Sequence, residues 1–162
     1  GFTLIELMVV IVIIGILVAI ALPNFISAQD RAKVASVKSN MHTIQTMIET
    51  YAVDWGGNYA NLLGTETTAG TLMKEAKDKA YYKDFKNPFT AQSGAGQSYI
   101  SAVTGTVNET TGASTGLKAG SVSYDPQISG TVPITKYFVY GGDKKDDFAI
   151  LDKGKAFYLT NQ

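Results

Sequence analysis

GFTLIELMVVIVIIGILVAIAL, residues Gly1 to Leu22, contains one charged side chain, Glu6, in an otherwise apolar stretch. Twenty-two residues at about 1.5 Å each make roughly 33 Å of helix, enough to cross a hydrocarbon core of about 30 Å. An ionised group at bilayer depth is costly and persists where it has a partner. The segment offers Glu6 no cation beyond an amino terminus. The expected partner is therefore the terminus of another copy, which makes Glu6 an assembly contact rather than a catalytic group.

Three plainer readings compete. A cleaved secretory signal would account for the small residues Ala19-Ile20-Ala21, but no basic stretch precedes the run. An ordinary single-span anchor fits the length and gives no reason for Glu6. A buried core helix is disfavoured because the run is apolar all round and lies at the end of the chain.

Residues Gly1-Phe2-Thr3-Leu4-Ile5-Glu6, the apolar run behind them and Pro23 closely resemble the type IV pilin and pseudopilin family, at motif level over about the first third of the chain. The resemblance implies that prepilin peptidase cuts behind Gly1, and that Phe2 is the mature first residue and is N-methylated. It also implies that Glu6 meets the N-terminal amine of a neighbouring subunit during assembly. The chain retains Gly1, so either the numbering keeps one leader residue or the cut falls one bond earlier. Arg31, Lys33 and Lys38 flank the span on its C-terminal side and would by charge alone face the cytoplasm. The family resemblance implies the opposite orientation, which we adopt.

Beyond Pro23 the pattern becomes periodic. Val34, Val37, Met41, Ile44, Ile48, Tyr51 and Trp55 recur at alternating intervals of three and four, which predicts an amphipathic helix ending at Gly56-Gly57. A two-stranded coiled coil is the alternative, but the short repeat and the glycine-rich sequence after it favour packing on the chain's own sheet. Joined, the two segments make about fifty residues of helix, roughly 80 Å if continuous. Gly15 and Pro23 weaken one section of it, and the resemblance implies that this section unwinds in a filament.

About 105 residues follow Gly57, enough for one compact domain. A short helix is expected within Thr71–Phe85, stopped by Lys86-Asn87-Pro88-Phe89. Strands are expected at Ser98–Val103, Ser121–Tyr124, Thr135–Tyr140, Phe148–Leu151 and Ala156–Leu159, the last three forming a meander with turns at Gly141-Gly142-Asp143 and Asp152-Lys153-Gly154. The predicted class is α+β: a long N-terminal helix, half transmembrane and half amphipathic, packed on a C-terminal antiparallel sheet. The predicted divisions are 1–23, 24–56, 57–97 and 98–162.

Fourteen basic and fourteen acidic residues balance, and no basic stripe suggests a nucleic-acid site. The absence of cysteine excludes a disulfide framework and a thiol nucleophile. No catalytic constellation is evident, and His42 reads as a surface residue on the polar side of the helix. Asp143, Asp146, Asp147 and Asp152 crowd one turn where calcium could bind, although interleaved lysines favour a solvated turn. Asn108-Glu109-Thr110, within the Ser/Thr-rich stretch Thr104–Gly116, is a candidate glycan acceptor, with a plain loop favoured. The aromatic content suits a packed sheet and gives no sequence ground for a conducting filament.

The resulting expectation is a structural subunit without a cofactor. It would sit in the cytoplasmic membrane, be processed by prepilin peptidase, and enter a helical filament of identical subunits through the pilus assembly machinery. The filament would be an extracellular type IV pilus serving adhesion, motility or DNA uptake. The alternatives are the major pseudopilin of a type II secretion system and, from another class, a membrane-tethered binding module.

Overall fold

The computed structural model describes residues 1–101, 107–127 and 133–161. The chain divides into two compact units, Gly1–Ala32 and Lys33–Gln162. Helix α1 (Leu4–Asp54) provides the regular structure of the first and the opening element of the second. In the first unit the apolar side chains are exposed, including Leu4, Ile11, Leu17 and Phe25, and the helix is long and apolar enough to cross a membrane.

Within the second unit one face of α1 is buried. Val37, Met41, Ile44, Ile48 and Tyr51 are in the core as their spacing predicts, joined by Met47, Ala52 and the side chain of Asn40. Trp55, expected as the last residue of that stripe, is instead 49% exposed. The helix has ended by then. Gly57 N–H donates to the Ala52 carbonyl at 2.7 Å, and Gly56 adopts φ +64. This six-to-one closure with a left-handed glycine is the Schellman stop, so Trp55 stands at the end of the helix, half exposed with its indole stacked on Tyr51.

Helix α2 (Leu72–Asp78) is shorter than the predicted segment. Leu72, Met73 and Ala76 are buried as expected, but Ala80 is exposed with φ +62. Tyr81 and Tyr82 both donate backbone N–H groups to the Ala76 carbonyl at 2.9 Å. The left-handed residue at position 80 ends the helix before Lys86-Asn87-Pro88 is reached.

Strands β1 (Val122–Pro126), β2 (Tyr137–Gly141) and β5 (Tyr158–Thr160) form an antiparallel sheet in the order β1-β2-β5. Strands β3 (Leu151–Asp152) and β4 (Lys155–Ala156) make a separate hairpin turning at Lys153-Gly154. The α+β class is as predicted, and so is the turn at Lys153-Gly154; the strand order of the meander is not. Strand β2 pairs with β5, Val139 opposite Leu159, and the β3–β4 hairpin is an excursion between them. The predicted strand at Ser98–Val103 is represented by isolated bridges at Tyr99, and its residues 102–103 lie outside the described residues.

Alternation along β2 divides two cores. Tyr137 and Val139 join Ile44, Ile48 and Tyr51 of α1. Tyr140, on the other face, packs with Val107, Leu117, Ala149 and Ala156, and Phe138 packs against this second cluster. Gly141-Gly142 acts here as a packing device, not as the predicted turn. A Cβ on Gly141 would lie 2.7 Å from Met41 Sδ, and one on Gly142 would lie 2.1 Å from the Lys118 carbonyl oxygen. The turn begins at the last of the three residues expected there, where Asp143 N–H donates to the Phe148 carbonyl.

Candidate functional site

The first helical turn forms around Thr3 and Glu6. Thr3 Oγ1 accepts the Glu6 backbone N–H at 3.3 Å. In return Glu6 Oε2 accepts the Thr3 backbone N–H at 2.7 Å and the Thr3 hydroxyl at 2.8 Å. Threonine at the N-cap and glutamate three residues later constitute a capping box, which satisfies N–H groups that a helix start leaves without partners. The carboxylate also lies near the positive end of the helix dipole. In the separate chain, therefore, Glu6 has a local hydrogen-bonding role. The T-x-x-E spacing is legible in sequence, yet attention to Glu6 as an unpaired charge leaves Thr3 out of the expected site.

Phe2 is 93% exposed and precedes the helix with Gly1. Gly15 and Pro23 are both helical residues of α1. Pro23 has no N–H for the Ala19 carbonyl, and one residue along, Asn24 Nδ2 reaches the Ile20 carbonyl at 3.4 Å.

The acidic turn is used internally. Asp147 Oδ1 accepts Gly116 N–H and Asp146 Oδ1 accepts Ala119 N–H, both at 2.8 Å. Among the described residues no three acidic or histidine side chains converge as metal ligands. Asn108 is exposed, and its Oδ1 accepts the N–H groups of Thr110 and Thr111. His42 is exposed beside a shallow groove with Ser39, Thr43 and Lys83.

Two polar junctions hold the second unit together and are absent from the sequence expectations. Glu49, on α1, accepts the hydroxyls of Tyr137 from β2 and Tyr59 from the loop after the helix. Burial, followed by the bond to Glu49, pushes the Tyr137 hydroxyl pKa well above its ordinary value. Asn87, 2% exposed, donates from Nδ2 to the carbonyls of Gln97 at 2.9 Å and Ala119 at 2.7 Å. Its Oδ1 accepts Phe89 N–H at 2.8 Å. Asn-Pro reads in sequence as a stop signal; the structure makes Asn87 the tie between two loops.

The N-terminal segment thus combines a capped helix start, one acidic side chain and an exposed apolar surface. Residues 1–22 match the family model described as the prokaryotic N-terminal methylation motif. Over part of its length the chain is similar to pilins and to a pseudopilin of the secretion-system type. The chain is 47% identical over 66 residues to the type IV major pilin protein PilA of Myxococcus xanthus, covering 40% of this chain and 30% of that protein. It is 44% identical over 81 residues to the type IV major fimbrial protein FimA of Dichelobacter nodosus, covering 44% and 51% respectively. It is 46% identical over 54 residues to type II secretion system core protein G of Pseudomonas aeruginosa, covering 33% and 38%. The matches thus span about half or less of these relatives' lengths. No solved structure matches. These pilin and pseudopilin relatives bear names of filament or secretion-system components, not of enzymes.

Proposed function

We propose that this chain is a structural subunit that polymerises into a type IV pilus filament. The observation that carries the proposal is Glu6, the one charged side chain in Gly1–Leu22, within a helix long and apolar enough for a membrane. Before assembly that helix holds the subunit in the cytoplasmic membrane. Prepilin peptidase cuts behind Gly1, Phe2 is N-methylated, and the pilus machinery moves the subunit into an extracellular filament of identical copies. In the filament the apolar side chains pack on one another, and Glu6 exchanges its Thr3 bonds for the terminal amine of a neighbour. The Gly15–Pro23 section unwinds as it packs, and Asn108 is where a glycan would be carried. Such head-to-tail contacts do not close, so they generate a fibre. The second reading, the major pseudopilin of a type II secretion system, is favoured by the similarity to core protein G.

Glu6→Leu tests the pairing. The variant should still insert, since the change lowers the cost of placing the segment in lipid. Assembly should fail, because the incoming amine would lack its counter-charge, and leaving one partner of a buried pair alone costs about 3–5 kcal/mol. The measurement is filament yield after shearing, against the amount of subunit left in the membrane. Normal filaments from Glu6→Leu alone would leave only apolar packing to account for assembly.

A further inference from the structure

The second unit carries a groove of about 290 Å³ between α1 and the loop after α2. Ser39, His42, Thr43 and Thr46 line it from the helix, where intervals of three and four place them on one face. Tyr81 and Lys83 line it from the loop. Among the described residues lining the groove there is no carboxylate. Asp84, the acid next to Lys83 in the chain, accepts the Tyr82 hydroxyl at 3.5 Å and does not line it.

Three of the lining side chains bring hydrogen-bond donors that nothing else uses. Between residues 74 and 83 the other lysines are paired, Lys74 with Asp78, Lys77 with Glu66 and Lys79 with Asp54. Lys83 has no ion pair among the described residues, and the His42 ring and the Ser39 hydroxyl have no hydrogen-bond partner there. Histidine donates from at least one ring nitrogen in either protonation state. The two threonines differ. Thr43 Oγ1 donates to the Ser39 carbonyl at 3.2 Å and Thr46 Oγ1 to the His42 carbonyl at 2.9 Å. With their hydrogens committed to the helix, these hydroxyls have only acceptor lone pairs left to offer.

We propose that this groove binds a phosphate group, as inorganic phosphate or a phosphomonoester. Free donors on two elements, one of them an ammonium, select an anion, and no lining carboxylate opposes it. The threonine oxygens select among anions. A phosphate that keeps a P–OH donates to them while its other oxygens accept from Lys83, His42 and Ser39. Sulfate and phosphodiesters have no such hydrogen. An apolar ligand would leave the donors without partners, and a metal cation would meet the ammonium. The groove lies in the second unit, so the inference does not rest on assembly through the N-terminal segment.

The single histidine supplies the assay. The full chain is held in dodecyl maltoside micelles, which carry neither charge nor phosphate, at about pH 6, where a phosphomonoester retains a P–OH in part. It is titrated at constant ionic strength with phosphate, glycerol 3-phosphate, sulfate and dimethyl phosphate while the ring-proton resonances of His42 are followed. Phosphate or glycerol 3-phosphate should give a saturable shift with a dissociation constant near about 5 mM, and sulfate and dimethyl phosphate should bind at least about fivefold more weakly. Lys83→Met, at an exposed position, should weaken phosphate binding about tenfold with the melting curve unchanged. Lys145→Met, at an exposed lysine outside the groove, should leave binding as it was. Tighter binding of glycerol 3-phosphate would mark the ligand as a phosphomonoester and the reverse order as the free ion, and either supports the site. No saturable response below about 50 mM, equal binding of sulfate or dimethyl phosphate, or equal effects of Lys83→Met and Lys145→Met would mean an adventitious ion only and would overturn the proposal.

Discussion

Replacing Asn87 tests whether a single buried amide joins the loop after α2 to the loop before β1. Asn87→Leu keeps the approximate volume and removes every polar atom of the side chain. The carbonyls of Gln97 and Ala119 then lose donors at 2.9 and 2.7 Å, and Phe89 N–H loses its acceptor at 2.8 Å. A buried polar group left without a partner costs about 1–3 kcal/mol. With Thr90 N–H, whose bond to Asn87 Oδ1 is long at 3.4 Å, four such groups partly relieved by water make a loss of about 3–6 kcal/mol reasonable, a large share of the stability of a domain this size. Asn87→Asp is the sharper variant. It keeps the acceptor for Phe89 but turns a carboxylate oxygen toward two carbonyls. Ionisation is then disfavoured in the folded state, so the folded pKa of the new group rises above its unfolded value. The folded form binds the proton more tightly, and the variant should regain stability as pH falls from 7 toward about 4, the ordinary aspartate range. Denaturant unfolding of the full chain in micelles, followed by near-ultraviolet circular dichroism at several pH values, measures both effects. A loss under about 1 kcal/mol for Asn87→Leu, or an Asn87→Asp variant whose deficit from the parent does not shrink on acidification, would refute the assignment of Asn87 as the tie.

Gly142→Ala should destabilise by about 3 kcal/mol, since its Cβ would meet the Lys118 backbone at 2.1 Å, whereas Gly154→Ala, with φ +79 and no atom within 4 Å, should cost only about 1–2 kcal/mol; paired denaturant curves compare them. Ala80→Gly should stabilise by about 0.5–1 kcal/mol by relieving the left-handed alanine at φ +62 that ends α2, read as a higher unfolding midpoint. Burial pushes the hydroxyls of Tyr81 and Tyr99 up to about 12 from 10.0. Between those values the unfolded chain releases tyrosine protons that the folded chain keeps, so stability should fall as pH rises through that window, with phenolate absorbance appearing together with unfolding.

The long helix was legible because its two signals are strong and local: an unbroken apolar run, then intervals of three and four from Val34 to Tyr51. Its end was legible too, since Gly56-Gly57 supplies the left-handed residue that a Schellman stop needs. Trp55 was misplaced because period alone cannot say that the helix closes one residue earlier. The sheet was half legible. Residues in β1 and β2 have strand composition, but pairing is a long-range choice, and β5 reaches β2 only after the β3–β4 excursion. Gly141-Gly142 looks like a turn in sequence because glycine serves both turns and close approaches. The difference lies in Met41 and Lys118, residues distant in the chain. Asn87 was hidden for the same reason, its partners being Gln97 and Ala119. At the helix start the T-x-x-E spacing is present in the sequence, but isolation of the charge draws attention to Glu6 alone and leaves out the Thr3 cap that the structure shows.

The capping box changes how the pairing at Glu6 must be understood. A carboxylate in an apolar segment would be expensive if it were bare, but Glu6 accepts two hydrogen bonds from Thr3, one of them from a backbone N–H at the helix start. Those bonds lower the cost of holding the acid before assembly, and they also compete with the proposed partner amine. Thr3→Val separates the two effects, because valine retains the backbone N–H bond and the β-branched shape while deleting the hydroxyl. If the hydroxyl chiefly supports the unassembled subunit, Thr3→Val should lower the subunit's level in the membrane, by an amount set by losing one charge-assisted bond of about 1.5–3 kcal/mol together with the cap bond that the hydroxyl accepts from Glu6 N–H. The subunits that remain should enter filaments in at least the normal proportion, since Glu6 is then held by one bond fewer. Quantifying membrane and sheared fractions of Thr3→Val beside Glu6→Leu distinguishes the roles: failure of assembly with normal membrane levels in both variants would place the threonine hydroxyl in the subunit contact itself, and would refute its assignment as a local cap that assembly must displace.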